Sequence, residues 1–383
     1  MNLFSTPWGA LELTRFPAEP RETLRAWDAA DDYLLRHVAE TGTDLTGTTV
    51  VLGDRWGALA TALAAYRPAQ ITDSHLGQQA TRANLRRNVP DAEVRLLTTR
   101  DEPPARIDVL LVRVPKSLAL LEDQLYRLAP ALHPDTVVLG TGMVTEIHTS
   151  TLRLFERIVG PTRTSPAVRK ARLIFSTPDP AAGRGTNPWP LRYALPDGIG
   201  PLSGRTVTNH AGVFCADRLD IGTRFLLEHL PDRKGPDRVV DLGCGNGVVG
   251  TAVAVANHDS DVLFVDESHQ AVASAERTFR DNAGPGGRAR FLVGDAADAV
   301  AAVGPEGADL VLNNPPFHSH QAVTAATAQR MFVTARSALR SGGELLVVGN
   351  RHLGYHVRLR RLFGNCGVVA SNPKFVVLRA VKS

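Results

Sequence analysis

The stretch Asn313-Asn314-Pro315-Pro316-Phe317-His318 combines side chains that could do chemistry with a forced change of backbone direction. It follows the apolar run Asp309-Leu310-Val311-Leu312, which reads as a buried strand. Two consecutive prolines each lack an N–H, so the ladder cannot continue and the chain must leave the sheet here. Asn314 brings a carboxamide that both donates and accepts, and Phe317 brings a flat stacking face. Together they could hold a planar group bearing an NH2. For an Asn-Pro-Pro alone, an ordinary strand-end turn is the plain alternative.

A second constellation is Asp241-Leu242-Gly243-Cys244-Gly245-Asn246-Gly247, placed between an expected strand and an expected helix. Glycines here permit a tight turn and close approach of a ligand to the backbone. The pattern is Gly-x-Gly-x-Gly and lacks the Lys-Ser/Thr of a phosphate-cradling loop. Asp241 would repel a pyrophosphate but could pair with a cationic amine. About 20 residues on, Asp266 ends the next strand, placed to accept from ribose hydroxyls. Asp295, after the third strand, could accept from an adenine amine. Carboxylates at three successive strand ends point to an adenosine ligand that carries positive charge and no phosphates. Cys244, between two glycines, reads as a small spacer.

The elements that must position these groups alternate along the whole chain. Strands are expected at 49–53, 70–73, 93–97, 108–112 and 136–140, with helices over Arg21–Thr41, Gly57–Ala65, Ser74–Asn88 and Leu118–Leu132 between them. The pattern resumes with strands at 238–242, 261–266, 289–293, 309–313 and 344–348, and closes on two more near 367–369 and 374–381. Such alternation indicates parallel sheets covered by helices, an α/β class. Between Ser176 and Ser203, Pro and Gly punctuators crowd together and suggest a connection, so the expected division is 1–180, a linker over 181–203, and 204–383.

The halves repeat one another. Val50-Val51-Leu52-Gly53-Asp54-Arg55-Trp56-Gly57 lies against Val240-Asp241-Leu242-Gly243-Cys244-Gly245-Asn246-Gly247, and Asp108-Val109-Leu110-Leu111 against Asp309-Leu310-Val311-Leu312. The scaffold is kept while the chemistry differs. Arg55 replaces the middle glycine, where a bulky cation would fill the space a ligand needs. Arg113-Val114-Pro115-Lys116 stands where the amide and ring stand. We read a duplicated domain whose first copy has lost its ligand site.

Bulk properties fit this picture. At 383 residues the chain is long enough for two cores. A net charge of +4 is compatible with a nucleic-acid partner without demanding one. Three scattered cysteines argue against a disulfide framework and against a zinc site, so no metal is expected and a reducing cytoplasm suits the chain. No signal peptide is apparent, and no run of about 18 apolar residues suggests a membrane span.

The Asp-Leu-Gly-Cys-Gly-Asn-Gly loop, Asp266 and Asn314-Pro315-Pro316-Phe317 together resemble class I S-adenosylmethionine-dependent methyltransferases of exocyclic nitrogens. The doubled architecture resembles the bacterial ribosomal RNA guanine-N2 methyltransferases, in which a degenerate N-terminal copy precedes an active one. Asn209-His210-Ala211-Gly212-Val213-Phe214, Asp220 to Leu227 and Val265-Asp266-Glu267-Ser268 are further family-like stretches, and Val114 to Glu122 is similar to the large-subunit (23S) branch. The resemblance implies two tandem Rossmann-like domains and S-adenosyl-L-methionine as cofactor, with S-adenosyl-L-homocysteine as product. It further implies ribosomal RNA as partner and a monomer. The catalytic residues would be Asn314, Pro315, Pro316 and Phe317, and the cofactor residues Asp241, Gly243, Gly245, Gly247, Asp266, Asp295 and Asn313. His318 reads as a structural or RNA-contacting residue, with a base as the alternative; Asp220 and Thr223 would border the pocket or cap a helix. Arg113 with Lys116, the arginines 82, 86 and 87, Arg169-Lys170 with Arg172, and the arginines 351, 358, 360 and 361 are candidate phosphate contacts, each alternatively a solvated face. A 16S enzyme, a protein-glutamine or DNA-adenine amino methyltransferase, and a non-catalytic RNA-binding assembly factor remain open as rivals.

Overall fold

A computed structural model of the chain describes residues 3–17, 23–182, 185–304, 307–316 and 321–383, with the backbone alone for 321–325. The chain divides into two compact units, Met1–Trp189 and Pro190–Ser383. The first opens on a hairpin, β1 (Leu3–Thr6) and β2 (Gly9–Glu12), followed by α1 (Ala29–Glu40), β3 (Thr49–Leu52), α2 (Ala58–Ala62), β4 (Ala69–Thr72), α3 (His75–Asn88) and β5 (Arg95–Thr98). It continues with β6 (Ile107–Arg113), α4 (Leu118–Leu128), β7 (Leu132–Met143), α5 (Thr149–Ile158), β8 (Thr162–Thr164) and β9 (Ala171–Ser176).

The second unit opens on another hairpin, β10 (Leu191–Ala194) and β11 (Thr206–Asn209). Then come α6 (Ile221–Leu227), β12 (Asp237–Leu242), α7 (Val248–Ala256), β13 (Ser260–Asp266), α8 (His269–Asn282), β14 (Arg288–Val293) and α9 (Ala296–Val303). β15 (Ala308–Asn313), α10 (Gln321–Ala338), β16 (Leu339–Asn350), α11 (Tyr355–Phe363), β17 (Gly367–Ser371) and β18 (Phe375–Val381) complete it.

The sheets run β5-β4-β3-β6-β7-β9-β8 and β14-β13-β12-β15-β16-β18-β17, the same order once each is counted from its own first strand. In both, the first four pairings are parallel and the last two antiparallel. The irregularities match as well. Pairing slips between Ile107 and Val109 in one sheet and between Ala308 and Leu310 in the other. At each slip an aspartate accepts from the backbone beside it, Asp108 from Thr48 N–H at 2.8 Å and Asp309 from Arg238 N–H at 2.7 Å. The expected alternation is therefore two tandem Rossmann-like domains built to one plan.

The apolar strands are continuous because both faces are covered. Leu310 and Leu312 face the cluster with Val249, Ala252 and Phe279 of α7 and α8, while Val311 faces the opposite one with Phe332 of α10 and Leu359 of α11. Full burial of each such side chain contributes about 1.5–3 kcal/mol. Serine caps recur at equivalent turns, Ser74 on α3 and Ser268 on α8, accepting from Gly77 and Ala271 N–H.

Two expectations need correction. The helix expected over Arg21–Thr41 begins at Ala29, because Asp28 caps it and Asp31 closes a reciprocal capping box; residues 18–22 lie outside the described residues. The linker expected over 181–203 is in large part structure. Trp189 donates its indole N–H to Glu122 at 3.0 Å, β10 follows, and Leu195, Ile199 and Leu202 are buried in the second unit's core. The punctuators there mark turns between anchored residues. Among the described residues no helix is long and apolar enough to cross a membrane.

Candidate active site

β12 and β15 are neighbours in register, with Leu242 opposite Asn313, so the glycine loop and the Asn-Pro-Pro segment leave the sheet at the same edge. This is where the strand order reverses, the crevice in which open α/β sheets bind ligands. An open hollow of about 600 Å³ lies instead by Gly307 and Leu339, at the opposite end of these strands. Asn313 donates Nδ2–H to the Leu242 carbonyl at 2.7 Å, and Asn314 donates Nδ2–H to Thr223 Oγ1 at 2.8 Å. Both amide oxygens, Asn313 Oδ1 and Asn314 Oδ1, are buried without a hydrogen-bond partner among the described residues. A buried acceptor left unmatched costs about 1–3 kcal/mol, so two at one strand end mark a place built to receive donors.

The three loop glycines all have left-handed backbone, with φ of 73° at Gly243, 54° at Gly245 and 74° at Gly247. Their reasons differ. A Cβ on Gly247 would lie 2.6 Å from the Cα of Ala275 in α8, whereas one on Gly245 would meet nothing within 4 Å. Gly247 serves helix packing, and Gly245 leaves open space beside the backbone. Asp266 ties this loop down, Oδ2 accepting from Gly245 N–H and Oδ1 from Ser268 N–H, both at 3.0 Å.

Asp241 is buried under α7 and accepts from Gly250 N–H at 2.8 Å. Burial, reinforced by the charge of Asp266 and opposed by that hydrogen bond, pushes its carboxyl up to about 7. Asp295 caps α9, its Oδ1 taking N–H groups from Ala297 and Asp298. The buried Cys244 thiol is pushed well up, first by desolvation and then by Asp266 and Asp241, which suits an inert spacer. Sequence reasoning missed Asn246, whose Nδ2–H reaches the buried Asn209 Oδ1 at 2.9 Å, and the Thr223 contact to Asn314. Asp220 does cap α6, accepting Thr223 N–H at 2.8 Å.

In the first unit the corresponding place is filled. Arg113, in the position of Asn314, is wholly buried; it donates to Asp28 at 2.7 Å and Glu146 at 2.8 Å, and its Nε lies 3.4 Å from Asp31. Arg55, in the position of Gly245, donates to Glu146 at 2.6 Å. Burial alone would raise the Glu146 carboxyl, but Arg113 and Arg55 hold it down at about 2. Burial pushes Asp31 up to about 7 against the pull of Arg113. Arg113 is thus withdrawn as a phosphate grip, since a buried guanidinium facing three carboxylates has no charge to offer RNA; Lys116 stays exposed. Arg82, Arg86 and Arg87 remain exposed on α3.

Two family models match the chain. Residues 1–180 match the model described as the RLMG N-terminal domain, and 204–379 the methyltransferase small domain. The ribosomal RNA large subunit methyltransferase G of Streptomyces avermitilis is 71% identical over 99% of this chain and 98% of its own length. The chain belongs to the ribosomal RNA large subunit methyltransferase G family. The Pseudomonas syringae member is 47% identical over the full length of both chains. A solved T. thermophilus 16S rRNA N2 methyltransferase, in complex with AdoMet and guanosine, shares the fold at a TM-score of 0.76 and 21% identity, covering 100% of this chain and 97% of its own. In this methyltransferase Pro315 is buried and Pro316 exposed, while Phe317 and His318 lie outside the described residues.

Proposed function

We propose that this protein methylates the exocyclic N2 of a guanine in ribosomal RNA of the large subunit, using S-adenosylmethionine. The observation that carries the reading is the buried Asn314 Oδ1, unpartnered among the described residues, at the strand end beside the glycine loop. A guanine N2 amine is a donor of two hydrogens, so an amide oxygen and the Pro315 carbonyl suit it. Accepting both would aim the nitrogen lone pair away from the ring, and those bonds strengthen as the nitrogen gains positive charge. S-adenosylmethionine would supply an electrophilic methyl on a sulfonium. Gly245 gives it open space, Asp266 and Asp295 offer carboxylate oxygens for its hydroxyls and amine, and Asp241 a counter-charge for its ammonium. Positioning then supplies much of the rate. Phe317 is the proposed stacking face for the base, which must be unstacked from RNA to enter.

We take 204–383 as the catalytic domain and 1–180 as a retired copy that supports folding, with Arg82, Arg86 and Arg87 among its RNA contacts. A monomer in the cytoplasm is proposed with it. Methyl transfer from labelled cofactor to 23S rRNA, 16S rRNA and ribosomal subunits tests the reading, with the methyl located by nuclease digestion and mass spectrometry. N2-methylguanosine in 23S rRNA, abolished by Asn314→Ala, is expected. A methyl on any other atom, or full activity of Asn314→Ala, refutes it.

A further inference from the structure

The Asn314 amide has two chemically opposite ends, and only one suits the proposed base. If Nδ2 faced a guanine amine, two donors would meet. Something must hold the amide the right way round, and backbone geometry alone does not distinguish its ends. The side chains around it do. Thr223 Oγ1 accepts from Asn314 Nδ2 at 2.8 Å, and the same hydroxyl donates to Asp220 Oδ2 at 3.2 Å. An ionised carboxylate only accepts, so it claims the single hydroxyl hydrogen. Thr223 then has only lone pairs to offer, and only the NH2 end of Asn314 can meet them. Oδ1 is left as the buried acceptor, without a partner among the described residues.

We infer that Thr223, oriented by Asp220, is a positioning residue that sets which end of the Asn314 amide faces the base. This rests on the reading of Asn314 as the acceptor of the amine. Asp220 is fixed for the task because it caps α6 through Thr223 N–H at 2.8 Å, which pins both ends of the relay to one helix turn.

The retired copy carries the same arrangement with different chemistry. There α1 precedes β3 as α6 precedes β12, and Asp28 is the cap of α1 as Asp220 is of α6. Asp31 stands at the position of Thr223, and Arg113 at that of Asn314. Arg113 reaches both, at 2.7 Å to Asp28 and 3.4 Å to Asp31. The contact between cap turn and strand end is therefore a fixed feature of the fold. A neutral acceptor meets the amide in one copy, and a carboxylate meets the cation in the other. The relay also explains why an amide needs a hydroxyl there: a carboxylate at 223 would leave the turn crowded with charge, and an aliphatic residue would let the amide turn over.

The test uses the full chain. Thr223→Val removes the acceptor while keeping shape and the backbone N–H that Asp220 caps. We expect kcat for 23S rRNA to fall about 100-fold, the size of effect that misplacing a reacting group produces, with cofactor Kd within about twofold. Thr223→Ser should restore most of the rate, which a packing role for the methyl group would not allow. Wild-type kcat in Thr223→Val alongside an inactive Asn314→Ala overturns the relay and leaves the Asn314 reading standing; an active Asn314→Ala overturns both. Should Thr223→Val fail to fold, the wild-type protein decides. In ¹⁵N-asparagine-labelled chain, one Asn314 side-chain proton should exchange with solvent far more slowly than its geminal partner, and equal fast exchange of both overturns the proposal.

Discussion

Replacing Arg113 by Met should be among the costliest single changes in the first unit. The guanidinium is wholly buried, 2.7 Å from Asp28, 2.8 Å from Glu146 and 3.4 Å from Asp31. Met has comparable length but leaves three carboxylates facing one cation, Arg55. Removing one partner from a buried ion pair costs about 3–5 kcal/mol, a large share of the 5–15 kcal/mol typical of a whole domain. With a urea slope of about 2 kcal/mol/M, the midpoint should fall by roughly 1.5–2.5 M. All four tryptophans, Trp8, Trp27, Trp56 and Trp189, belong to the first unit, so their fluorescence reports its unfolding without interference from the second. The loss should also depend on pH. In the wild type, Glu146 is depressed to about 2, so its stabilising contribution is complete above its ordinary 4.5 and disappears only as the pH falls toward 2. Asp31, raised to about 7, acts in the other direction: its contribution is complete below 3.8 and fades as the pH rises through 7. Without Arg113 the carboxyls join Asp31 in favouring protonation, so the gap between variant and wild type should widen from pH 5 to pH 8. A loss below about 1 kcal/mol, the scale of an exposed pair, or a gap independent of pH, refutes the buried-network account.

Asp241→Asn should act with opposite signs on stability and binding. The raised carboxyl contributes stability that is lost as the pH rises through about 7, so the unliganded variant should be the more stable at pH 8.5 by calorimetry. Its affinity for S-adenosylmethionine should fall, and wild-type affinity should drop about tenfold per pH unit below 7 while the variant's stays flat; flat titrations of both remove the proposed ammonium contact. Gly245→Ala and Gly247→Ala separate ligand space from packing. The first, with open space around it, should lose only about 1–2 kcal/mol for its left-handed backbone yet bind cofactor poorly. The second should unfold at lower denaturant, because its Cβ must displace the α8 backbone 2.6 Å away; equal stabilities would contradict the geometry.

Much of this protein is legible in local pattern. Apolar runs at strand spacing, broken by Gly and Pro, state the alternation, and repetition of those runs states the duplication down to the aspartate at each sheet irregularity. Strand ends carry Asn314, Asp241, Asp266 and Asp295 to one edge by topology alone, because parallel strands all finish on the same side. Boundaries were less legible where capping decides them. Capped by Asp28, α1 starts at Ala29 rather than at Arg21 as the uninterrupted span suggests, since the reciprocal bond to Asp31 outweighs continuity. Residues 181–203 look like a linker because turn residues are the same in a free connection and an anchored one.

Residue type and order thus determined the fold, its doubling and the chemical character of the strand ends, because these follow from periodicity and backbone rules that act over a few residues. Only the tertiary structure decided the use of each charge and amide. Arg113 reads in sequence as a surface cation, but folding brings Asp28 from 85 positions away and Glu146 from 33, and desolvation makes their pairing obligatory. Asn314 reads as an amide with two equal ends, and it is Thr223, 91 positions away, that makes them unequal.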